Sequence, residues 1–518
     1  MAITKEFTLT SLENVLKKRG WVRSSFAKAK RIIRPRFSMT VAELCELSGV
    51  DVKKQPSIHS VLKRKVQQIS NVHPYFYPNC ICVEMYDDTD DDLRWAILKG
   101  GAIAVVSHHQ IDDLPCIVVD NPQLIYSKMC RYYRDLSKAK TVAITGSIGK
   151  TTTKRMIGSV LREEFNISCC PTNDNALYHI GFEAQHIPCG TEIIVDEISE
   201  DTPRYTSLMS KIAHPKVVAV TAIDKSHIEA FGDEEKIVDE VCSITEGMTD
   251  DGVVVVNSDE FNYYDKLRNL KVIRVSNTDK SADFYAEKIS VTNKGITFDV
   301  IVTETGGKYS VVLNNVYAKH NVAIALQAFA IGWLFDEKPD NIVRGLQNYT
   351  TAGVRQNILR TEDDVILYAD CFNAVAKSVK SAVNGCEQIP IVQGGRRIAV
   401  LGDIAESGDF AQSEHAEIID IINKSSFDCL ITLGDNLKKA VTTCSIRNSL
   451  SVICCGSREE IAKQLQNMVK TGDIVLFKGS HSALLENVIE LVWPKLFRET
   501  QIAERKEYHQ WFDRIKRS

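Results

Sequence analysis

Glycine, lysine and threonine residues that could bind a phosphate group lie together in the segment Lys140–Lys154, KTVAITGSIGKTTTK. Gly146 and Gly149 permit a tight turn whose backbone amides can wrap an anion. Lys150 adds a point charge, and the Thr151 hydroxyl is placed to coordinate a phosphate-bound magnesium ion. The segment therefore predicts a nucleotide-phosphate site. Its predicted contact residues are Gly146, Ser147, Gly149, Lys150, Thr151 and Thr152.

The elements around this segment have the order that a phosphate loop requires. Four apolar or β-branched residues, Val142 to Thr145, predict a buried strand, and Lys150 begins a helical pattern. The alternative is an ordinary strand-turn-helix with a solvated lysine. The position of Gly-Lys-Thr-Thr-Thr, where a strand becomes a helix, favours the phosphate loop.

Two further polar residues follow predicted strands of the same region. Strands are predicted at 193–196, 217–221 and 253–257, separated by helical stretches, which is the rhythm of a doubly wound parallel sheet. Glu197 follows the first strand, and His227 lies in the loop after the second. Because strand ends in such sheets face the ligand crevice, both side chains are predicted members of a magnesium site.

The C-terminal third predicts a second α/β unit. Helical patterns alternate with predicted strands at 365–369, 398–401, 429–433, 451–454 and 474–477. Lys478 and His481 lie in a Gly-containing loop directly after the last strand. We expect this loop to meet a substrate or its developing charge.

Length and composition bound the class of protein. At 518 residues and about 150 residues per domain, three domains are expected. The net charge of −4 argues against nucleic-acid binding. No segment reaches the roughly 18 uninterrupted apolar residues of a spanning helix, and the N-terminus lacks a signal pattern, so a cytoplasmic location is expected. The 15 cysteines show no CxxC pair and no zinc spacing, and they are expected to be small buried side chains.

The predicted domain organisation has four parts. They are a basic extension at 1–37, a small α/β domain at 38–137, a central P-loop domain at 138–350 and a Rossmann-like domain at 351–518. The basic extension also contains apolar residues at intervals that suit an amphipathic helix, so a weak contact with a membrane surface or a protein is one hypothesis. A solvated helical extension packed on its own domain is the other.

The short GxxGKTTT loop resembles that of the Mur ligases, and motifs elsewhere agree. The family has V-x-E and G-P-x-H-L-E-x-F-G where this chain has Glu197 and His227, and R-H-N-V where it has KHNV at 319–322. Arg355 matches the arginine that begins the third domain. Three runs resemble the branch that adds D-alanyl-D-alanine: DCFNAVAKS at 370–378, LGDIAESG at 401–408 and GDIVLFKGSHS at 472–482.

This resemblance implies an α/β, three-domain enzyme that uses ATP and Mg²⁺ to join a carboxylate to an amine in cell-wall peptidoglycan synthesis. It implies magnesium coordination by Thr151, Glu197 and His227, and a helix that caps the adenine, beginning at Asn321. Arg355 and Asp370 would orient nucleotide groups. Lys150, His227 and Lys478 would be catalytic. The implied substrates are a UDP-linked peptide precursor and D-alanyl-D-alanine.

Several positions depart from the family pattern. Val241 stands where the family usually has a lysine, often carbamylated to bridge magnesium, and Ile324 and Ile148 replace asparagines. One interpretation is a divergent ligase, using a carboxylate such as Asp239 or Glu240 as the metal bridge and another substrate pair. Another is a non-catalytic ATP-binding partner of a true ligase.

A P-loop kinase or GTPase-like switch is a third class. It fits the phosphate loop alone, but it does not account for the LGD and KGS runs of the C-terminal unit. A guanine-binding N-K-x-D motif is also missing from the sequence.

Overall fold

A computed structural model gives the fold of most of the chain. It describes residues 39–71, 79–85, 88–98, 100–112, 114–224, 228–267, 269–292, 294–351, 353–371, 374–405 and 410–517. The predicted basic extension 1–37 and His227 lie outside the described residues. The chain forms two compact units, one with the residues up to Tyr133 and Gly181–His186, the other with Arg134–Ile180 and Ile187–Arg517.

The first unit is built around a small parallel sheet. Its four strands pair in sequence order: β3 Gln68–Asn71, β4 Cys80–Val83, β5 Ala102–Ser107 and β6 Cys116–Val118. Two further strands, β1 Met39–Thr40 and β2 Lys65–Val66, form an antiparallel pair. The unit also contains two helices, α1 Val41–Ser48 and α2 Asp90–Leu98. Thr40 and Glu43 form a reciprocal capping box that starts α1. Helix α3, Pro122–Leu136, leads out of this unit.

The second unit contains a nine-stranded sheet, in which seven neighbouring strands are parallel and the last two are antiparallel. Its strands are β7 Lys140–Thr145, β8 Ile167–Cys169, β9 Ile193–Glu197, β10 Pro215–Val220, β11 Val253–Asn257, β12 Lys271–Ser276, β13 Phe284–Thr292, β14 Gly295–Val302 and β15 Gly307–Asn314. The order across the sheet is β15-β14-β13-β12-β11-β10-β7-β9-β8. Strand β7 therefore lies between β9 and β10, where the strand order reverses and ligand crevices form.

Helices lie between these strands in the chain or follow them. They are α4 Lys150–Leu161, α5 Leu177–Gln185, α6 Tyr205–Ala213, α7 Ile228–Phe231, α8 Glu234–Cys242, α9 Asn321–Leu334 and α10 Pro339–Gln347. Helix α9 begins at Asn321 and is buried along its first twelve residues. A helix that is apolar all round belongs in a core.

The antiparallel strands β14 and β15 were absent from the sequence-based prediction. Buried residues of both strands belong to the same hydrophobic core as α9. Along β15 each more buried residue alternates with a more exposed one, whereas β14 is buried at six of its eight residues. Such alternation is weaker than the uninterrupted apolar runs of buried parallel strands, which the prediction used.

A six-stranded sheet forms the C-terminal part of the second unit, with five parallel strands and one antiparallel edge strand. Its strands are β16 Asn357–Arg360, β17 Ile366–Asp370, β18 Arg397–Gly402, β19 Cys429–Leu433, β20 Ser451–Cys455 and β21 Ile474–Lys478, in the order β16-β17-β21-β18-β19-β20. Its helices are α11 Ala376–Gln388, α12 Ala411–Asn423, α13 Asp435–Thr443, α14 Arg458–Met468, α15 Glu486–Val492 and α16 Pro494–Arg517. The predicted α/β class is confirmed.

Two expectations from composition concern cysteines and membranes. All 15 cysteines are free thiols, and most are buried, as expected from their scattered positions. Within the ranges that the structure covers, every helix is too short or too polar to cross a bilayer.

Candidate functional site

The loop between β7 and α4 has the backbone conformation of a phosphate loop. Gly146 and Gly149 adopt φ values of +125° and +92°, which favour glycine. A Cβ atom on Gly146 would lie 2.3 Å from the Thr221 hydroxyl oxygen on the neighbouring strand, so the loop leaves no room for a side chain there. The amides of Ser147 and Ile148 donate to the Ala222 carbonyl and fix the loop against that strand.

Lys150, at the start of α4, is held by two oxygen atoms. Its Nζ atom donates to the Gly146 carbonyl at 2.6 Å and to Glu200 Oε2 at 2.6 Å. The Glu200 side chain is 1% exposed. Glu200 was not among the predicted site residues. The only feature of the sequence that points to it is its position three residues after Glu197, just beyond the end of β9.

Glu197 is the centre of a buried polar cluster. Thr151 Oγ1 donates to Glu197 Oε1 at 3.0 Å, and Asn175 Nδ2 donates to the same oxygen at 3.1 Å. Lys154 Nζ lies 3.0 Å from Glu197 Oε2, and both side chains are at most 2% exposed. Arg355 Nη1 donates to Thr151 Oγ1 at 2.9 Å and brings the beginning of the C-terminal part to the phosphate loop.

Glu197 and Lys154 are buried, but the opposite charges around each of them favour its ionised form. Burial pushes the pKa of Glu197 up, but the nearby Lys154, Arg355 and Lys150 outweigh it and hold that pKa below its usual range. Burial likewise opposes the charge of Lys154, and Glu197 beside it raises the pKa of the ammonium group. Glu197 is therefore a carboxylate in the neutral pH range, as a magnesium ligand must be.

The C-terminal sheet contributes a second buried ion pair. Asp370 and Lys478 end the adjacent parallel strands β17 and β21 and are register partners. Lys478 Nζ lies 3.0 Å from Asp370 Oδ2, and the lysine side chain is 2% exposed. Ser480 follows in the same loop, and its Oγ atom accepts a hydrogen bond from the Ala405 amide, which ties this loop to the one after β18.

One cleft of about 530 Å³ brings most of the predicted site residues together. Its lining includes Ser147, Gly149, Lys150, Thr151, Thr152, Glu197, Arg355, Asp370 and Lys478. His481, Asn175 and Glu200 also line it. Gly146 shapes the loop from behind. Both sheets of the second unit thus present strand ends to the same volume.

Besides Gly146, two predicted residues are not among those that line this cleft. Asn321 is buried beside it, where its Nδ2 atom donates to the Ala318 carbonyl and to Gln356 Oε1 at 3.3 Å. Gln356 does line the cleft, so Asn321 reaches it through that side chain. His227 lies outside the described residues, and its predicted roles stay predictions.

Asp239 and Glu240 do not serve as the alternative metal bridge. The Asp239 carboxylate pairs with Lys266 at the surface. Both oxygens of Glu240 accept backbone amides, those of Arg204 and Thr206, at the start of α6. Val241 itself is fully buried in α8. None of the three lines the cleft.

Some motif residues of the C-terminal part have structural roles. Asp403, of the LGD run, accepts the amides of Asn436 and Leu437 at the start of α13. His415 is fully buried and accepts the Ile404 amide through Nε2. Asp473 pairs with Arg396. Asp403 and His415 shape the loop after β18, whose residues Ile404 and Ala405 line the cleft. Asp473 precedes β21, at the opposite end of that strand from Lys478.

The donor set at the phosphate loop suits a hard cation. The Thr151 hydroxyl and the Glu197 carboxylate place oxygen atoms next to each other. Glu200 Oε1 is a further buried oxygen, and no hydrogen-bond donor among the described residues contacts it. The described part of the chain contains no group of three or more His, Cys, Asp or Glu side chains arranged to hold a metal ion. A cation here would need further oxygens from a ligand or water.

Fold and site together define a P-loop protein of the α/β class with a second, Rossmann-like sheet. Residues 144–332 match the model of the Mur ligase middle domain, and residues 354–481 match that of the Mur ligase, glutamate ligase domain. The two matches together span more than half of the chain, and the chain belongs to the Mur ligase family.

Curated relatives share most of the chain at low identity. The UDP-N-acetylmuramoyl-tripeptide--D-alanyl-D-alanine ligase of Bacillus subtilis is 26% identical over 402 residues, which cover 76% of this chain and 85% of the relative. The enzyme of the same name from Escherichia coli is 25% identical over 420 residues, covering 80% of this chain and 90% of the relative.

Solved structures share the fold. MurF from Acinetobacter baumannii superposes with a TM-score of 0.75 at 20% identity, covering 89% of this chain and 100% of that chain. MurF ligase from Thermotoga maritima in complex with ADP has a TM-score of 0.71 at 20% identity, covering 83% of this chain and 98% of that chain.

Proposed function

We propose that this chain is an ATP-dependent ligase that adds D-alanyl-D-alanine to a UDP-N-acetylmuramoyl-tripeptide in peptidoglycan precursor synthesis. The observation that carries the proposal is the single cleft in which the phosphate loop meets the Asp370–Lys478 pair of the C-terminal sheet. A nucleotide-binding switch would need only the first of these. The name shared by the aligned relatives supports the substrate pair.

The phosphate loop binds the ATP phosphates in this proposal. Backbone amides at the start of α4 and the Lys150 ammonium face the polyphosphate. Arg355 lies near the beginning of the C-terminal part of the chain and donates a hydrogen bond to Thr151. In this proposal its guanidinium group also contacts phosphate oxygens, from the side of the C-terminal sheet. Fixed positive groups of this kind stabilise the charge that develops during phosphoryl transfer.

Magnesium fits the oxygen donors at this loop. Thr151 and Glu197 would hold it, together with phosphate oxygens, and we propose His227 as a further ligand. The ion would supply charge neutralisation on the phosphates. Lys154 and Asn175 then orient the Glu197 carboxylate, because both contact its oxygens directly.

The reaction has two steps. A carboxylate oxygen of the donor attacks the γ-phosphorus of ATP, the bond to the β-γ bridging oxygen breaks, and an acyl phosphate and ADP form. The amine nitrogen of D-alanyl-D-alanine then attacks the acyl carbon, inorganic phosphate leaves, and the amine loses a proton. In this proposal Lys478 stabilises the tetrahedral oxyanion or the acceptor carboxylate, which its burial beside Asp370 supports.

Phosphate release by purified protein tests the proposal. ATP and magnesium are supplied with UDP-N-acetylmuramoyl-tripeptide and D-alanyl-D-alanine, separately and together. We expect release that requires both substrates and is lost in Lys150→Ala. Measurable ATP binding without release would instead support a ligase for another substrate pair or a non-catalytic partner protein. A product of the expected mass is the second readout.

A further inference from the structure

Glu200 is a buried carboxylate that faces the phosphate-binding lysine. Its Oε2 atom lies 2.6 Å from Lys150 Nζ, and its side chain is 1% exposed although it lines the cleft. Within the described part of the chain, no hydrogen-bond donor reaches its other oxygen, Oε1. A buried carboxylate with one unsatisfied oxygen is costly to keep, because burial penalises its charge. Such a group calls for a functional explanation.

A nucleotide polyphosphate would compete with Glu200 for the same ammonium group. Lys150 Nζ already donates to Gly146 O and Glu200 Oε2, which leaves one of its three protons for another acceptor. If phosphate oxygens draw the ammonium away, Glu200 loses its partner and faces the anionic polyphosphate. Two like charges brought close together in a partly buried site repel each other more strongly than they would in water.

A divalent cation on the polyphosphate reverses this effect. It neutralises the phosphates that would otherwise repel Glu200, and it attracts the unsatisfied carboxylate oxygen. The described residues contain no cluster that could hold a metal ion without a ligand, so the cation would arrive with the nucleotide. Glu200 therefore distinguishes a free polyphosphate from a metal-loaded one.

We propose that Glu200 is a specificity-determining residue that makes the phosphate loop select the metal-loaded nucleotide over the free nucleotide. The assignment rests on the nucleotide site of the proposed function, and it names a carboxylate that neither the sequence motif nor the family matches assign. Glu197 has a different role, because Thr151 and Asn175 donate to its Oε1 atom and Lys154 forms an ion pair with its Oε2 atom.

The test compares nucleotide affinity with and without magnesium. Binding of ADP and of ATP is measured by calorimetry, once in excess Mg²⁺ and once in EDTA, for the wild-type protein and for Glu200→Gln. Gln keeps the size and removes the charge. We expect Glu200→Gln to bind free nucleotide at least about tenfold more tightly than wild type does, so that the ratio of the affinity with Mg²⁺ to the affinity in EDTA falls by at least that factor.

Asp201→Asn is the matched control. Asp201 is the next residue, lines the same cleft and is exposed, so the substitution changes the net charge equally without touching Lys150. We expect its magnesium dependence to stay within about twofold of wild type, since water screens an exposed charge. Glu200→Ala repeats the measurement with a smaller side chain, and circular dichroism confirms that each variant is folded.

The possible results separate a failure of the Glu200 assignment from a failure of the nucleotide site. A folded Glu200→Gln or Glu200→Ala with the magnesium dependence of wild type would overturn the assignment, and so would an equal effect of Asp201→Asn. These results would leave the proposed ligase intact. Wild-type protein that binds no nucleotide in either buffer would overturn the nucleotide site, and with it both proposals.

Discussion

At the scale of single residues, the second unit contains several charged side chains that are almost completely buried. Lys154 and Glu197 neutralise each other beneath the phosphate loop, and Asp370 and Lys478 do so at the end of the C-terminal sheet. Glu337 is also buried, but among the described residues neither of its carboxylate oxygens has a hydrogen-bond partner. Buried charge of these two kinds responds differently to mutation and to pH.

Replacement of Lys154 by Met should destabilise the second unit strongly. The ammonium is the closest cation to Glu197 and also donates to the Thr172 carbonyl, so its loss leaves a buried carboxylate with less compensation. We expect the free energy of unfolding at pH 7 to fall by about 3 kcal/mol, the usual cost of breaking a buried pair. Urea unfolding followed by fluorescence measures it.

Lys216→Met provides the comparison for Lys154. Lys216 pairs with Asp251, whose side chain is 79% exposed, so the same chemical change there should cost about 0–1 kcal/mol. Equal losses in the two variants would mean that the Lys154–Glu197 pair contributes no more than a surface pair does.

Glu337 should make stability depend on pH. The residue is 3% exposed, neither carboxylate oxygen has a hydrogen-bond partner among the described residues, and burial, followed by Glu164 and Glu163 nearby, raises its pKa to about 8. A raised pKa means that the folded state holds the proton more tightly. Its stabilising contribution is complete below the unfolded pKa near 4.5 and is lost as the pH rises through 8.

Glu337→Gln removes this titration. We expect wild type and variant to differ little in urea midpoint at pH 5, and the variant to become the more stable of the two by pH 9, because Gln needs no proton to be neutral. Glu304→Gln, at an exposed position in the turn between β14 and β15, is the control and should show a constant offset. A constant offset for Glu337→Gln as well would contradict the predicted titration.

At the scale of elements, the turn between β7 and α4 depends on its glycines for two different reasons. Positive φ is one, and it applies to many turns. The other reason is a lack of space for a side chain, and it applies to Gly146, because Thr221, directly after β10, occupies the place where a Cβ atom would lie.

Gly146→Ala should therefore weaken nucleotide binding beyond the cost of strain. The added methyl group would contact Thr221 at 2.3 Å, so the loop must move away from β10 and its amides lose their alignment. We expect nucleotide affinity to fall at least about tenfold, the equivalent of 1.4 kcal/mol, as measured by calorimetry.

Gly306→Ala separates strain from crowding. Gly306 also has positive φ, at +68°, but nothing lies within 4 Å of its added methyl group. This variant should lose about 1 kcal/mol of stability and keep the nucleotide affinity of wild type. If Gly146→Ala also keeps that affinity, the crowding at Thr221 is not what shapes the loop.

At the scale of the whole molecule, helix α16 connects the two sheets of the second unit. Leu496 and Phe497 in its first turn pack on the core of the C-terminal sheet. Further along, Glu507 Oε2 lies 3.2 Å from Arg155 Nη2, on the helix that follows the phosphate loop, and Arg514 Nη2 donates to Asn166 Oδ1 at 2.6 Å. Its first half is thus held by apolar packing and its second half by polar contacts.

Glu507→Lys should loosen only the second half of α16. Two positive charges would face each other where an ion pair stands now, so we expect faster amide hydrogen exchange over 505–517 and unchanged exchange over 494–500. Glu499→Lys, on an exposed turn of the same helix, makes the same charge change as a control. Equal exchange in both variants would show that the contact with Arg155 does not hold the helix.

The sequence determined the parts of this protein that depend on neighbours along the chain. Strand, turn and helix around Gly146–Lys150 follow from local patterns, and so do those parallel strands that are uninterrupted apolar runs, because such runs and glycine turns impose their geometry locally. The family resemblance rested on such short runs, and the two domain matches confirm it.

Only the tertiary structure decided which charged groups face each other. Asp370 and Lys478 are 108 residues apart and meet because β17 and β21 are adjacent in register. Glu200 resembles any polar residue after a strand until its contact with Lys150 is seen, and Asp239 and Glu240 resemble metal ligands until their partners are seen. Partner choice depends on strand order and on burial, and neither is written in the residues beside the charge.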